Sequence, residues 1–334
     1  MSVHQTSKAD EKKIIAQAQA ALDDIAKIKS EIGKVIFGQE QVVESTIIAI
    51  LSGGHALLVG VPGLAKTKLV DTLGTVLGIS AGRVQFTPDL MPADILGSEV
   101  LEEDDKGKRA FRFVKGPIFT QLLMADEINR ASPRTQSALL QSMQEYHVTV
   151  AGQHYDLPAP FHVLATQNPL EQEGTYPLPE AQLDRFLLQV DIDYPELQAE
   201  RQILLETTGT NEQTASAVIN TEKLQELQNL VRRMPVPESV VDSILKLVRS
   251  ARPGHGVETT DKHISWGPGP RASQALMLCA RARALYDGRF APSIDDVKAL
   301  AEPVLQHRMA LTFAARAEGM TVQSVIKDLV SALD

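Results

Sequence analysis

Two stretches of this chain carry groups that together could handle a triphosphate. The first is Gly60-Val-Pro-Gly-Leu-Ala-Lys66-Thr67, directly after the apolar run Ala56-Leu-Leu-Val59. A strand that feeds a glycine-rich turn into a helix presents backbone N–H groups to phosphate oxygens. A lysine at the end of such a turn reaches the β- and γ-phosphates, and the threonine hydroxyl binds Mg2+. The second stretch is Leu122-Leu-Met-Ala-Asp126-Glu127, an apolar run that ends in two acids. At a neighbouring strand end Asp126 would hold the metal, and Glu127 would sit where an attacking water is oriented and deprotonated. The pair predicts a site that binds a nucleoside triphosphate with Mg2+ and hydrolyses it. Its loop comprises Gly60, Pro62, Gly63, Leu64, Ala65, Lys66, Thr67 and Lys68, and its metal ligands are Thr67 and Asp126.

The loop departs from the strict G-x-x-x-x-G-K-[ST] pattern, because Ala65 stands where the second glycine belongs. An alanine there is expected to keep a negative φ, as at a helix start, with Gly63 taking the strained part of the turn.

These groups need elements to hold them. From Ala56 to Asp193 strand and helix patterns alternate, as in a parallel sheet covered on both faces. Strands are expected near 56–59, 84–86, 122–125, 161–166 and 186–191. Two hairpin-like interruptions fall at 98–115 and 146–157, the second with Gly152 in its turn. Ser132 and Pro133 mark a helix start. Ahead of the sheet, residues 9–36 read as a helix, with Ile14, Ala18, Ala21, Ile25, Ile28, Ile32 and Val35 in one apolar stripe. After Tyr194-Pro195 the pattern becomes helical, over 196–207, 222–233, 238–251, 271–286, 293–307 and 321–333. The expected domains are therefore an N-terminal helix (1–36), an α/β nucleotide-binding domain (37–195) and a smaller all-helical domain (196–334).

Composition narrows the function classes. The chain has 334 residues, 43% of them hydrophobic, and a formal net charge of −9. The acidic balance argues against wholesale nucleic-acid binding. No apolar run approaches a transmembrane length, and the N-terminus lacks an apolar signal-peptide core. Cys279 is the single cysteine. It reads as a buried thiol on a helix, which excludes an internal disulfide. The cytoplasm is the expected compartment.

Three further groups fit the same chemistry, each beside a plainer role. Asn168, in Thr166-Gln-Asn-Pro169, either contacts a γ-phosphate or its attacking water, or forms a turn. Arg185, before the last expected strand, is either a surface charge or a stabiliser of transition-state charge. Arg271, opening a helix after Trp266-Gly-Pro-Gly-Pro270, either reaches back to the phosphates or packs at the helix start. Asp184 is expected to orient Arg185. Arg130 and Arg134 either face a neighbouring subunit or serve within the domain.

The order of these pieces, with Glu180-Ala-Gln-Leu-Asp-Arg-Phe186, Ala125-Asp-Glu-Ile-Asn-Arg130 and Gln85-Phe-Thr-Pro-Asp-Leu-Met-Pro-Ala-Asp94, closely resembles the MoxR family of AAA+ ATPases over roughly residues 30–330. In that family Ala65 is an ordinary feature of the loop. The resemblance implies ATP as nucleotide, Glu127 as catalytic base, Asn168 as sensor 1, Arg185 as arginine finger and Arg271 as sensor 2. It implies that Gly38 and Gln39 line the adenine pocket. It also implies a homo-hexameric ring that remodels or matures a protein client, with a partner carrying a von Willebrand factor A domain. Two other classes compete with it, a nucleic-acid motor and a nucleotide-switched adaptor with little turnover. Against the first, 146–157 contains no Lys or Arg, and 98–115 carries acids beside its basic residues. The second has no need of Glu127.

Overall fold

The computed structural model describes residues 8–103, 109–170, 174–208 and 213–333, with side chains from residue 19 onward. The chain opens with α1 (Lys8–Gly33) and α2 (Glu40–Leu51), then enters the sheet at β1 (Ala56–Gly60). Next come α3 (Lys66–Leu77), β2 (Ala81–Gln85), α4 (Pro92–Leu96), and the antiparallel hairpin β3 (Gly97–Glu103) and β4 (Arg109–Lys115). The tip of that hairpin, 104–108, lies outside the described residues, as do the side chains of Ile14 and Ala18. The chain continues through β5 (Leu122–Asp126), α5 (Pro133–Glu145), the hairpin β6 (His147–Val150) and β7 (Gln153–Asp156), β8 (His162–Gln167), α6 (Glu180–Leu183) and β9 (Leu188–Ile192). Ser132 caps α5 as expected, accepting from the Thr135 N–H, with Pro133 in the first turn.

Five parallel strands form the central sheet in the order β2-β5-β8-β1-β9. Their apolar runs reflect burial on both faces. Within β1, Ala56 and Leu58 face one apolar cluster and Leu57 the other, and in β5 Leu122 and Met124 oppose Leu123 and Ala125. The second strand begins earlier than the sequence suggests, because Ala81-Gly-Arg83 is an edge segment with little apolar signal.

The C-terminal region comprises α7 (Leu197–Thr207), α8 (Thr221–Arg233), α9 (Glu238–Ser250), α10 (Glu258–His263), β10 (Ile264–Trp266), α11 (Pro270–Tyr286), α12 (Ile294–Leu305), β11 (Ala310–Leu311), α13 (Phe313–Ala317) and α14 (Val322–Ser331). The six expected helices are present. The short antiparallel ribbon of β10 and β11 corrects the all-helical expectation. Buried residues of α1, α2 and α3 share one apolar cluster with α8, α9, α11, α12 and α14. Cys279 sits inside it, its thiol pKa pushed up to about 12 by burial. Among the described residues no helix is long and apolar enough to cross a membrane.

Candidate functional site

The phosphate loop starts at the carboxyl end of β1, where Gly60 pairs with Ile192 of β9. A Cβ on Gly60 would lie 2.6 Å from the Ile192 carbonyl oxygen, so only glycine fits. Gly63 takes φ +85, as expected. Ala65 does not keep a negative φ: it sits at φ 54, ψ 22, in the left-handed region. The loop must turn its last peptide inward before α3 begins, and that geometry overrides the preference of an L-residue at a cost of about 1–2 kcal/mol. Ala65 supplies no side-chain cap to α3. The first-turn N–H groups of α3 therefore remain open to an anion. Lys66 begins the helix, and its Nζ donates to the Gly60 carbonyl at 2.5 Å. Burial pulls the Lys66 pKa down, and the negative charges of Asp126 and Glu127 pull it up. Thr67 and Lys68 follow in the same turn, both half-buried, and Pro62 is exposed.

Gly38 and Gln39 lie against this loop. The Gln39 side chain is buried and donates from Nε2 to the Leu64 carbonyl at 3.0 Å. Its Oε1 is buried without a partner, a free acceptor of the kind an amino group would satisfy. Gly38 has φ +68, and a Cβ there would meet Ala199 of α7 at 2.2 Å. Both residues line an open cleft of roughly 740 Å3 with Asp191, Asp193 and Tyr194, at the carboxyl end of β9.

The two acids end β5 in a tight polar network. Asp126 Oδ1 accepts from the Thr166 hydroxyl at 2.6 Å, and its Oδ2 accepts from Arg83 Nη2 at 2.6 Å. Glu127 is also left-handed, at φ 54, ψ 50. Its N–H donates to Thr166 Oγ1 at 2.8 Å. Its Oε2 accepts from Gln85 Nε2 at 2.7 Å and from Arg130 Nη1 at 3.0 Å. Arg130 thus serves within its own domain. The sequence does not single out Arg83, Gln85 or Thr166. The signal lay in register: β2 neighbours β5 with Gln85 opposite Asp126, so residues two apart on β2 share a face with the acid. Asn168, one residue beyond β8, is buried, and its Oδ1 accepts from the Leu170 N–H at 3.1 Å. That is the turn-forming role. Because β8 lies between β5 and β1, it also sits between the acids and the phosphate loop.

Hard oxygen donors suit Mg2+. Thr67 and Asp126, beside an uncapped helix end, are such donors, so the residues present fit a nucleotide-bound Mg2+.

The two arginines are not brought to this loop. Ala56 pairs with Leu188 and Gly60 with Ile192, so Arg185 lies before the amino-terminal end of β9 while the loop leaves the carboxyl end of β1. Five residues of strand alone span roughly 15 Å. Arg185 donates from Nη1 to the Leu140 carbonyl at 2.5 Å. Arg271 does not reach back to the phosphates of its own chain. Its Nη1 lies 3.6 Å from Asp184 Oδ2, at the same end of the sheet as Arg185. Nor does Asp184 orient Arg185 through its carboxylate. That carboxylate accepts from Arg308 Nε at 2.7 Å. Arg308 is 2% exposed, and its other N–H groups donate to the Leu187, Val304, Phe186 and Asp184 carbonyls. A guanidinium buried that deeply requires a counter-charge, and Asp184 supplies it.

A parallel sheet in this order, a phosphate loop after its β1, two acids after the neighbouring-but-one strand and a helical region behind them define a P-loop ATPase of the AAA+ type. Residues 55–188 match the model of the ATPase family associated with various cellular activities (AAA), and residues 258–329 match the AAA lid domain. The chain is 41% identical over 298 residues to chaperone MoxR1 of Mycobacterium tuberculosis, covering 89% of this chain and 78% of that protein. It is 31% identical over 296 residues to protein MoxR of Paracoccus denitrificans, covering 83% and 86%. A crystal structure of a candidate ATPase from Cytophaga hutchinsonii superposes with a TM-score of 0.90 at 36% identity, over 96% of this chain and 98% of that one. The chain belongs to the MoxR family of AAA+ ATPases.

Proposed function

We propose that this protein is a cytoplasmic, Mg2+-dependent ATPase that works as a closed homo-hexamer. We propose further that it uses hydrolysis to remodel or mature a protein client, together with a partner that carries a von Willebrand factor A domain. The chaperone naming of a relative and the family resemblance support the client reading. The observation that carries the catalytic reading is the separation of the charges. One chain holds the phosphate loop and acids at one end of its sheet and Arg185 and Arg271 at the other, so a complete site needs two copies.

In this mechanism the α3 N–H groups and Lys66 bind the β- and γ-phosphates, and Lys66 leaves the Gly60 carbonyl to do so. Gln39 would meet the adenine amino group with its unpartnered Oε1. Thr67 and Asp126 would hold Mg2+, which neutralises phosphate charge when bound. Glu127 takes the proton of the attacking water, and Asn168 donates its amide to that water or to the γ-phosphate. Arg185 and Arg271 of the adjacent copy stabilise the charge that develops on the transferred group.

Nucleotide affinity and turnover of three variants test this. Lys66→Ala should weaken ATP binding. Glu127→Gln should bind ATP normally and turn over ~10²–10⁴-fold more slowly, as for loss of a general base. Arg185→Ala should bind ATP and lose ~10³–10⁵ in rate. Mixing Arg185→Ala with Lys66→Ala should restore turnover, since each supplies what the other lacks. Near-normal turnover of Glu127→Gln would refute the base. Demonstrated subunit exchange without restored turnover would refute the shared site.

A further inference from the structure

Opposite the phosphate loop, at the amino-terminal end of the sheet, a cleft of roughly 290 Å3 opens between the α2–β1 turn, the end of α5, the segment before β9, and α11. Four arginines line it, Arg185, Arg232, Arg271 and Arg308, and Asp184 is its one carboxylate. Asp184 is already engaged by Arg308 at 2.7 Å and, more loosely, by Arg271 at 3.6 Å. Arg308 spends its remaining donors on backbone carbonyls. His55, on the wall, is buried and held neutral by that burial, with its pKa lowered to about 3. Three guanidinium groups therefore face one cleft with no acid left to balance them.

Arg232 is the most telling of the three. It stands near the end of α8 and is exposed. Its guanidinium lies over Gly53, where a Cβ would come within 3.2 Å of Nη2. Gly53 also has φ +75, so a residue without a side chain both makes the turn and leaves room for the arginine. The guanidinium makes no hydrogen bond or ion pair among the described residues, while the Arg232 carbonyl accepts from Arg281. Like charges brought into one cleft repel, and a cleft of one sign concentrates the opposite charge. The arrangement is that of an anion receptor. The phosphate loop of the same chain sits at the far end of β1, so the anion comes from another molecule.

We propose that Arg232 is a third cation of the shared site: beside Arg185 and Arg271, it contacts the triphosphate bound at the phosphate loop of the adjacent copy. This rests on the ring reading given above. The three charges come from three places, the segment before β9 and the helices α11 and α8. A triphosphate touching all of them ties the sheet of one copy and its helical region to the same ligand.

The test compares Arg232→Ala and Arg232→Lys with Arg185→Ala in the full chain, using ATP as probe. Arg232→Ala should still bind ATP, since the phosphate loop is intact, with affinity lowered at most several-fold by the lost guanidinium contact. It should lose roughly 10- to 100-fold in turnover, the usual worth of a charge-assisted hydrogen bond expressed as a rate. Arg232→Lys should lose less, because it keeps the charge and gives up only the fork. Melting should be nearly unchanged, as for an exposed side chain. Mixing Arg232→Ala with Lys66→Ala should recover turnover. If Arg232→Ala turns over within twofold of wild type while Arg185→Ala is inactive, Arg232 is not part of the site. The same conclusion follows if Arg232→Ala is slow but mixing fails to rescue it, when mixing rescues Arg185→Ala. If Arg232→Ala loses client remodelling with ATP turnover intact, the cleft receives an acidic protein segment, and the proposal is overturned. Full turnover in both arginine variants would remove the ring reading itself, and this proposal with it.

Discussion

Lowering the pH from 6 to 5 should destabilise this protein by roughly 3–4 kcal/mol through three histidines buried at the amino-terminal end of the sheet. His55 accepts from the Val163 N–H at its Nδ1, and its Nε2 meets the Met143 carbonyl at 3.1 Å. His162 uses Nδ1 toward the Gly54 carbonyl at 2.8 Å and Nε2 toward Gln228 at 3.0 Å. His307 reaches the Phe186 carbonyl at 3.1 Å. Burial is the leading cause of a lowered pKa in all three, joined by His162 for His55 and by Arg308 for His307. The values fall to about 3 for His55 and about 4 for His162, and His307 lies well below its ordinary range. In the unfolded chain each would titrate near pH ~6.5. Below that pH the unfolded state binds protons that the folded state refuses, so stability is full above 6.5 and is lost as the pH falls toward the folded values. Each refused proton contributes about 1.36 kcal/mol per pH unit, and roughly nine-tenths of each is in play between pH 6 and 5. Carboxylates held low in the fold, such as Asp296, titrate mostly below this window. Urea unfolding at closely spaced pH values measures the slope, and His162→Gln should reduce it by about a third whatever its own cost. A wild-type slope under about 1 kcal/mol per unit, or an unchanged slope in His162→Gln, would refute the reasoning.

Arg308→Met should cost about 3–5 kcal/mol, because it strands Asp184. An unchanged melting temperature would show the pair to be dispensable. Ala65→Gly should raise stability by up to about 1 kcal/mol, left-handed strain outweighing the freedom glycine gains when unfolded. A loss of stability would contradict the left-handed backbone at that position. The β6–β7 hairpin turns on Ala151 and Gly152, both at positive φ. Ala151→Asn should therefore stabilise it by roughly 0.5–1 kcal/mol with ATP turnover unchanged, as read by thermal melting beside a turnover assay.

Much of the frame was legible because its signals are local. The apolar runs of β1 and β5, the glycines of the phosphate loop and the Ser132-Pro133 start each report on a few neighbouring residues. Where the expectation failed, the deciding contact was distant. Ala65 looked like an ordinary helix start, but the turn that the loop makes into α3 holds its backbone left-handed. Asp184 looked like the partner of its neighbour Arg185, yet Arg308, 124 residues away, takes it. Arg308 itself carries no sequence signal, since arginines are rarely buried. Arg83 and Gln85 joined the acids only once β2 was known to lie beside β5. The ribbon of β10 and β11 pairs segments too short to show any period.

The first helix has a consequence for how the protein moves. α1 buries Ala21, Ile25, Ile28 and Ile32, and packs on both α3 and α11. Lys29 lies 3.3 Å above the Tyr286 ring at the end of α11 and donates to the Tyr286 carbonyl. One rod therefore grips the helix that begins with Lys66 and the helix that carries Arg271 in its first turn. A shift of α3 on nucleotide loss must carry α11 with it or break an apolar seam, and the first exposes less surface to water. In a closed assembly such a rod would act as a gear tooth. If the proposed ring forms, a change at the phosphate loop of one copy would pass along this rod to the helix that carries Arg271.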